Sequence, residues 1–322
     1  MRKKYAHLTE GERNQIYALK QAEKPIQKIA NILERSPSTI SREIKRNSGQ
    51  RGYRPKQAQE KAMERKQIPR TQKMTNSTIQ HIEQQLEQDW SPEQISATMK
   101  PMIGVRISPE RMYQHIWNDK KQGGKLYTHL RIGGTKQRRK KRGGKDWRGK
   151  IPNRVDIEQR PTVVDQKSRT GDWEADLVSG AHHQGFLVTL VERKQKFTLI
   201  GHVRHKQSLA VQQEIVRLLL PYKNVVHTIT FDNGHEFSGH QAIAKALDCS
   251  CYFAKPYHSW ERGVNENTNG LIRQYFPKKC DLREVSQDRL NEVMHQLNHR
   301  PRKDLAFQTP YELFYPDHLC CT

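Results

Sequence analysis

The sequence predicts a multidomain protein in which an all-α N-terminal region precedes an α/β core with a mixed five-stranded sheet. The first half has apolar residues at helical spacing, and the second half has short strands that first follow one another and then alternate with helices. Net charge divides the chain in the same way. Residues 1–150 carry 35 Lys and Arg against 14 Asp and Glu, or +21, whereas residues 151–322 carry 22 against 20, or +2. A basic half joined to a near-neutral half indicates a nucleic-acid-binding region beside a separate core. A solvated cationic surface is the alternative.

Changes in composition and pattern divide the 322 residues into six expected segments. In chain order these are a helix-turn-helix domain at 1–50, a basic helical connector at 51–73, a second helix-turn-helix-like domain at 74–122, a basic linker at 123–160, the α/β core at 161–280 and a C-terminal helical extension at 281–322. We expect the connector to form its helix only against DNA.

Residues 8–47 have the pattern of a helix-turn-helix. Thr9 and Glu12 form a capping-box pair, and Ser36 precedes Pro37 at the start of the third helix. That helix presents short hydroxyl residues and then basic residues, which suits entry into a DNA major groove with phosphate contacts. A helical hairpin that packs against protein is the alternative. The candidate DNA contacts are Ser36, Ser38, Thr39, Ser41, Arg42, Lys45 and Arg46.

Residues 75–119 predict a second unit of three helices. Two of them begin with a Ser-Pro pair, at Ser91 and at Ser108, where serine can cap the helix. The second of these helices would carry a recognition face that includes Arg111 and Gln114. Such caps also begin many ordinary helices, so a purely structural unit is the alternative.

Residues 131–154 predict a linker, because a like-charged run interrupted by glycines does not bury a core. Nine of the fifteen residues from 136 to 150 are Lys or Arg. Such a run can follow a phosphate backbone, and a nuclear-import signal is the alternative. The candidate phosphate contacts are Arg138, Arg139, Lys140, Lys141 and Arg142.

Two features argue against a membrane or secreted protein. No run of about 18 apolar residues exists, and the N-terminus lacks an apolar signal core. The five cysteines are odd in number and none has zinc-finger spacing with histidine, so we expect reduced cytosolic thiols. A structural metal held by some of them is the alternative.

The core is expected to begin near Val163. Three antiparallel strands should span residues 172–178, 186–192 and 197–204. A helix, a strand, a helix, a strand and a helix should then follow, with the strands at 226–231 and 249–254 and the last helix beginning near Ser259.

Acidic residues occur at three informative places in this core. As a strand, residues 172–178 put Asp172, Glu174 and Asp176 on one face, which we expect to face a site. Asp232 ends a buried strand, and Glu266 lies mid-helix after 33 intervening residues (266 − 232 − 1). Carboxylate oxygens suit a hard cation such as Mg²⁺. On the Glu266 helix, Asn269 and Arg273 share the face of Glu266.

The segments GDWEADLVSG, TFDNGHEF and PYHSWERGVNENTNGLIRQYFP resemble bacterial insertion-sequence transposases of the DDE type, specifically the insertion-sequence-thirty family. The resemblance covers most of the chain and implies a ribonuclease-H-like catalytic core, as in retroviral integrases. It maps the acidic triad to Asp176, Asp232 and Glu266, and the basic residue of the family pattern to Arg273. The resemblance, not the spacing, selects Asp176 over its two acidic neighbours on the strand.

The resemblance also implies a reaction and its partners. The triad would hold two Mg²⁺ or Mn²⁺ ions for cleavage and strand transfer at the ends of the element. Double-stranded DNA of both element ends and target would be the substrate. A homo-oligomer of at least two chains would join two ends, in the cytoplasm of a bacterium and associated with the nucleoid. Asn265, Asn269 and His258 would orient DNA or ligands.

Three other functions remain open from the residues alone. A non-catalytic helix-turn-helix regulator would need only the N-terminal half, and the acidic triad argues against it. A ribonuclease-H-type nuclease would use the same metals without the N-terminal DNA reader. A zinc enzyme is the weakest, because the histidines lack metal-ligand spacing.

Overall fold

The computed structural model describes residues 6–67, 73–131, 151–255, 263–278 and 280–315. The chain divides into two compact units, Met1–Gln72 and Lys73–Thr322. Within the described residues, no helix is long and apolar enough to cross a membrane.

The first unit is a four-helix domain. Its helices are α1 (Glu10–Gln21), α2 (Ile26–Ile32), α3 (Pro37–Asn47) and α4 (Pro55–Gln67). The predicted capping box joins Thr9 and Glu12, and Ser36 accepts from the backbone N–H of Thr39 with Pro37 at the first helical position. The expectation that α4 forms only against DNA is wrong, because Ala58 of α4 is fully buried in a core with Ile16 and Ile40.

The second unit begins with three helices that we call the helical trio: α5 (Asn76–Glu87), α6 (Pro92–Ile103) and α7 (Pro109–Lys121). Ser91 and Ser108 cap α6 and α7 as their Ser-Pro pairs predict. The trio has its own apolar core, which includes Leu86, Met99 and Ile116.

A five-stranded mixed sheet forms the centre of the second unit. Its strands are β1 (Asp172–Ser179), β2 (Phe186–Glu192), β3 (Thr198–Val203), β4 (Thr228–Phe231) and β5 (Ser250–Phe253), in the spatial order β3-β2-β1-β4-β5. The first three strands pair antiparallel, and β4 and β5 extend the sheet in parallel to β1. This order confirms the predicted ribonuclease-H-like core.

Helices cover both faces of the sheet. They are α8 (Thr162–Gln166), α9 (Ser208–Leu219), α10 (His240–Leu247), α11 (Gly263–Tyr275), α12 (Gln287–Asn298) and α13 (Pro310–Phe314). One apolar core joins Trp173 and Ala175 of β1 to α9, α10 and α13, and a second joins Val178 of β1 to α11 and α12. The alternation along β1 therefore points its even-numbered acidic residues toward the α11 face of the sheet.

The described part of α11 begins at Gly263 and holds Glu266 in its first turn, and the expected helix start near Ser259 lies outside the described residues. One boundary differs from the sequence expectation. Residues 151–160, expected in the linker, contact the core instead: the backbone N–H of Phe253 donates to the carbonyl of Val155 at 2.9 Å, and Ile157 is buried. A loop that adds backbone hydrogen bonds to an edge strand has no periodicity to reveal it in sequence.

At the β3 edge of the sheet, a side chain of α12 bonds to the strand backbone. The amide of buried Asn298 on α12 accepts from the N–H of Thr198 at 2.8 Å and donates to its carbonyl at 2.9 Å. Asn298 thus replaces the missing neighbour strand at this point and blocks further strand pairing.

Candidate active site

Asp176 lies on β1 just beyond the residues that pair with β4, and Asp232 directly follows β4, which runs parallel to β1. In the β1–β4 register, Glu174 pairs with Thr230, and the two aspartates each follow two residues later. Because side chains alternate along a strand, both continue the face that carries Glu174 and Thr230. Carboxyl ends of adjacent strands are where open α/β sheets place ligand chemistry.

Asp176 is connected directly to α11. Its Oδ2 accepts a hydrogen bond of 2.8 Å from Nδ2 of Asn269, and its Oδ1 accepts from the backbone N–H of Leu177 at 2.9 Å. The hydroxyl of Thr189 on β2 donates to Oδ1 of Asn269 at 3.2 Å. These contacts fix the amide orientation of Asn269 so that its NH₂ group meets the carboxylate.

Asp232 begins a tight turn. Its Oδ1 accepts from the backbone N–H of Gly234 at 2.8 Å, and Nδ2 of Asn233 donates to the carbonyl of Ala254 at 2.5 Å. Arg154, in the loop before the core strands, donates to Oδ1 of Asn233. The turn after β4 is therefore anchored from two other segments. Sequence reasoning did not find Arg154, because nothing in its own neighbourhood indicates this distant contact.

Asp172 and Glu174 have a different environment, although they share the face of Asp176. Each is 1% exposed. Asp172 accepts two hydrogen bonds from Arg169, and Glu174 accepts from Arg193 at 2.5 Å and from the backbone N–H of Asn265 at 3.0 Å. The expectation that all three carboxylates face the site is therefore wrong for these two, since both are buried and paired with arginines. Burial lowers the pKa of the Arg193 guanidinium, and the Glu174 charge opposes this effect.

The remaining predicted residues follow one another along α11. Glu266 is exposed in the first turn, Asn269 is half-buried, and Arg273 is half-buried one turn further on. Nη2 of Arg273 donates to the carbonyl of Ser179 at the end of β1, at 2.8 Å, and desolvation lowers the pKa of the guanidinium. Arg273 thus connects the helix to the strand that carries Asp176.

The structure brings Asp176 and Asn269 together, but it does not assemble a complete metal cage. Within the described ranges, no three acidic, histidine or cysteine side chains are close enough to hold one ion together. The donors nevertheless have suitable chemistry, since Asp176, Asp232 and Glu266 all supply carboxylate oxygens. Asn265 is 1% exposed, so the DNA contact expected of its side chain would require it to leave this buried position. His258 and the run Arg138–Arg142 lie outside the described residues.

Comparison with known proteins identifies the family. A family model described as a helix-turn-helix domain matches residues 4–47. The chain is 43% identical to a transposase for insertion sequence element IS4351 of Bacteroides fragilis, over 96% of this chain and 95% of that protein. It is 38% identical to the transposase InsI for element IS30A of Escherichia coli, over 96% of this chain and 83% of that protein. The chain belongs to the IS30 family of insertion-sequence transposases.

Two further similarities accompany this membership. The transposase for element IS1086 of Cupriavidus metallidurans is 34% identical, over 97% of this chain and 95% of that protein. The catalytic core domain of a BIV integrase is similar with 20% identity and a TM-score of 0.36, over 46% of this chain and 96% of that chain. On its identity to the insertion-sequence transposases, the chain is a DNA transposase, and it spans most of the length of these relatives.

The predicted DNA-reading residues of this IS30-family transposase lie on the surface of their helices. On α3, Ser36, Ser38, Ser41, Arg42, Lys45 and Arg46 are exposed, and Thr39 is half-buried. Ser36 also caps the helix, so its hydroxyl is already engaged. On α7, Arg111 and Gln114 are exposed and hydrogen-bonded to each other at 3.1 Å.

Proposed function

We propose that Asp176, Asp232 and Glu266 hold two divalent metal ions, Mg²⁺ or Mn²⁺, as the catalytic centre of this DNA transposase. The observation that carries the proposal is the bond between Asp176 and Asn269. It joins β1 to the helix that bears Glu266, and Asp232 follows β4, the strand that pairs with β1. Asp172 and Glu174 are engaged elsewhere, which leaves Asp176 as the β1 carboxylate at this edge of the sheet.

The reaction would be cleavage of a phosphodiester at the element end, followed by attack of the freed 3′-hydroxyl on a target strand. When bound, the metal ions lower the pKa of the attacking group and stabilise the leaving oxygen. Asn269 would orient the Asp176 carboxylate, and ligand-orienting neighbours of this kind typically change metal affinity or activity 10- to 100-fold, roughly. Arg273 would hold a substrate phosphate near the end of β1.

DNA binding would involve three parts of the chain. The exposed face of α3 would read the terminal inverted repeats, α7 would offer a second reading face through Arg111 and Gln114, and the basic run 138–142 would follow a phosphate backbone. The active form would be a homo-oligomer of at least two chains, because two element ends must be joined. It would act in the bacterial cytoplasm, on nucleoid DNA.

The test uses full-length protein, Mg²⁺ and a labelled duplex that carries the ends of the encoding element. We expect wild type to nick the 3′ end and join it to target DNA, and Glu266→Gln to do neither while it still binds the duplex. Glu292→Gln is the matched control, because Glu292 is an exposed acid on α12 that pairs only locally with Arg289. Products from Glu266→Gln at the wild-type rate would overturn the assignment of Glu266.

The same assay separates the alternative functions. Specific binding without metal-dependent products from wild type would favour a non-catalytic regulator. Cleavage of the RNA strand of an RNA–DNA hybrid in preference to the element ends would favour a ribonuclease-H-type nuclease.

A further inference from the structure

The segment that follows the helical trio contacts α11, the helix that carries Glu266. Nη1 of Arg131 donates to Oδ1 of Asn267 at 3.4 Å, and Nε2 of Gln274 donates to the carbonyl of His129 at 3.1 Å. At Gly270, an added Cβ would lie 2.4 Å from Nη2 of Arg131, so a side chain there would displace this guanidinium. The helix therefore packs on the sheet with one side and contacts the segment that follows α7 with another.

Arg300 is the central contact of this junction. It follows α12, it is 3% exposed, and its guanidinium donates in two directions. Nε donates to Oε1 of Gln94 on α6 at 3.1 Å, and Nη1 donates to Oε1 of Gln274 on α11 at 3.2 Å. The planar guanidinium of Arg300 thus connects α6 of the helical trio to α11. A lysine at this position would carry a point charge and could not donate in both directions with this geometry.

Both partners of Arg300 are fixed by further bonds. Oε1 of Gln94 also accepts from the backbone N–H of Ser91 in the capping box of α6, and its Nε2 donates to the carbonyl of Pro301 at 2.5 Å. Gln274 is fixed by its bond to the carbonyl of His129. Because neither amide can rotate without losing a bond, the network defines one relative position of α6 and α11.

Arg300 is a buried cation with polar neighbours on both sides of the junction. Desolvation lowers the pKa of Arg300, and Tyr275 and Asp89 oppose this effect. Asp89, between α5 and α6, is the acid of these two, and Tyr275 is the last residue of α11. Removal of the Arg300 side chain would leave the polar groups of its partners unpaired, so the intact guanidinium should hold these partners in place.

We infer that Arg300 is a positioning residue that sets the distance between DNA bound on the helical trio and the active site on α11. The inference rests on the proposed function, in which α7 contacts DNA and Glu266 takes part in catalysis. A rigid spacing between reading face and active site would fix which phosphodiester enters the site. Loss of the two hydrogen bonds from Arg300 to Gln94 and Gln274 would leave DNA binding intact and make the cleavage position variable.

The experiment compares wild type, Arg300→Gln and Arg300→Lys with the same labelled element ends, read at single-nucleotide resolution. We expect wild type to nick at one position and Arg300→Gln to distribute nicks over several neighbouring positions. The rate at the main position should fall by roughly 10- to 100-fold, the scale of a small misplacement of reacting groups. Arg300→Lys should give an intermediate spread, and duplex affinity should stay within about twofold of wild type.

Lys303→Gln is the matched control, because Lys303 bonds across the same junction to Glu93 but both side chains are more than half exposed. It should nick at the wild-type position.

A folded Arg300→Gln protein that nicks only at the wild-type position, at the wild-type rate, would overturn the inference. If Arg300→Gln does not fold, Gln274→Leu removes the α11 acceptor alone, and a single nick position in that variant would overturn it equally. Failure of wild type to nick at all would count against the proposed function, so the two failures are distinguishable.

Discussion

Asn269 on α11 donates a 2.8 Å hydrogen bond to Oδ2 of Asp176 on β1. Thr189 on β2 donates to the same amide, at 3.2 Å to its oxygen. The carboxylate that the family resemblance places in the triad is thus oriented by the helix that carries Glu266. The position of the Asp176 carboxylate therefore depends on contacts among β1, β2 and α11.

Asn269→Ala should weaken metal use without loss of the fold. The substitution removes the Asn269 amide that donates to Oδ2 of Asp176, so the carboxylate would lose this orienting contact. We expect the Mg²⁺ concentration for half-maximal cleavage to rise by roughly 10- to 100-fold. A Mg²⁺ titration of nicking measures this, with Asn267→Ala on the same helix as control. An unchanged titration curve would show that the bond does not matter for metal binding.

Glu174→Gln should mainly reduce stability, whereas Asp176→Asn should mainly reduce cleavage. Glu174 is buried in an ion pair with Arg193, so its neutralisation leaves this buried cation with the more exposed Asp165 at 3.7 Å and should reduce the free energy of unfolding by on the order of 3 kcal/mol. Asp176→Asn should change stability little and abolish cleavage. Urea unfolding and the nicking assay on both variants test the distinction. A catalytically dead but fully stable Glu174→Gln protein would make Glu174 part of the site.

The stability of the core should fall as pH rises from about 4.5 to 7 on account of Glu192. Burial raises the pKa of this carboxyl from its ordinary 4.5 to about 7, against hydrogen bonds from the N–H groups of Gln195, Lys194 and Gly171. The folded protein therefore keeps a proton that the unfolded chain releases in this window, and the associated stability is complete below pH 4.5 and lost through pH 7.

The measurement is the free energy of unfolding in urea at pH 5 and pH 8, for wild type and Glu192→Gln. The wild-type difference between the two pH values should exceed that of the variant by on the order of 2 kcal/mol. Equal differences would mean that Glu192 titrates as an ordinary carboxyl.

Arg42→Ala on α3 should weaken binding of the element end and reduce its salt dependence. Arg42 is exposed on the predicted reading helix, and loss of one phosphate contact lowers the slope of log affinity against log salt by about 1. Fluorescence anisotropy over a salt series measures the slope. Lys20→Ala, an exposed cation at the end of α1, is the control that should leave the slope unchanged. A slope unaltered by Arg42→Ala would remove Arg42 from the DNA interface.

Local patterns predicted most of the fold. Alternation at β1 and the serine caps at Ser36 and Ser91 gave strands and helix starts that the structure confirms. The alternation of side chains along β1 could not show that Asp176 and Glu174 have different roles. The difference depends on Arg193, which follows β2 and pairs with Glu174. The Arg300 junction was equally inaccessible, since it joins residues 206 positions apart in the chain. Long-range pairing of charged groups leaves no periodic signal in the sequence.

The most direct test of the central claim is the metal preference of Asp232→Cys in the nicking assay. Thiolate is a poor ligand for Mg²⁺ and a better one for softer ions such as Mn²⁺. If Asp232 holds a catalytic metal, the variant should lose nicking in Mg²⁺ and recover part of it in Mn²⁺, whereas wild type works with both. Nicking by Asp232→Cys in Mg²⁺ at the wild-type rate would contradict the assignment of Asp232 as a metal ligand.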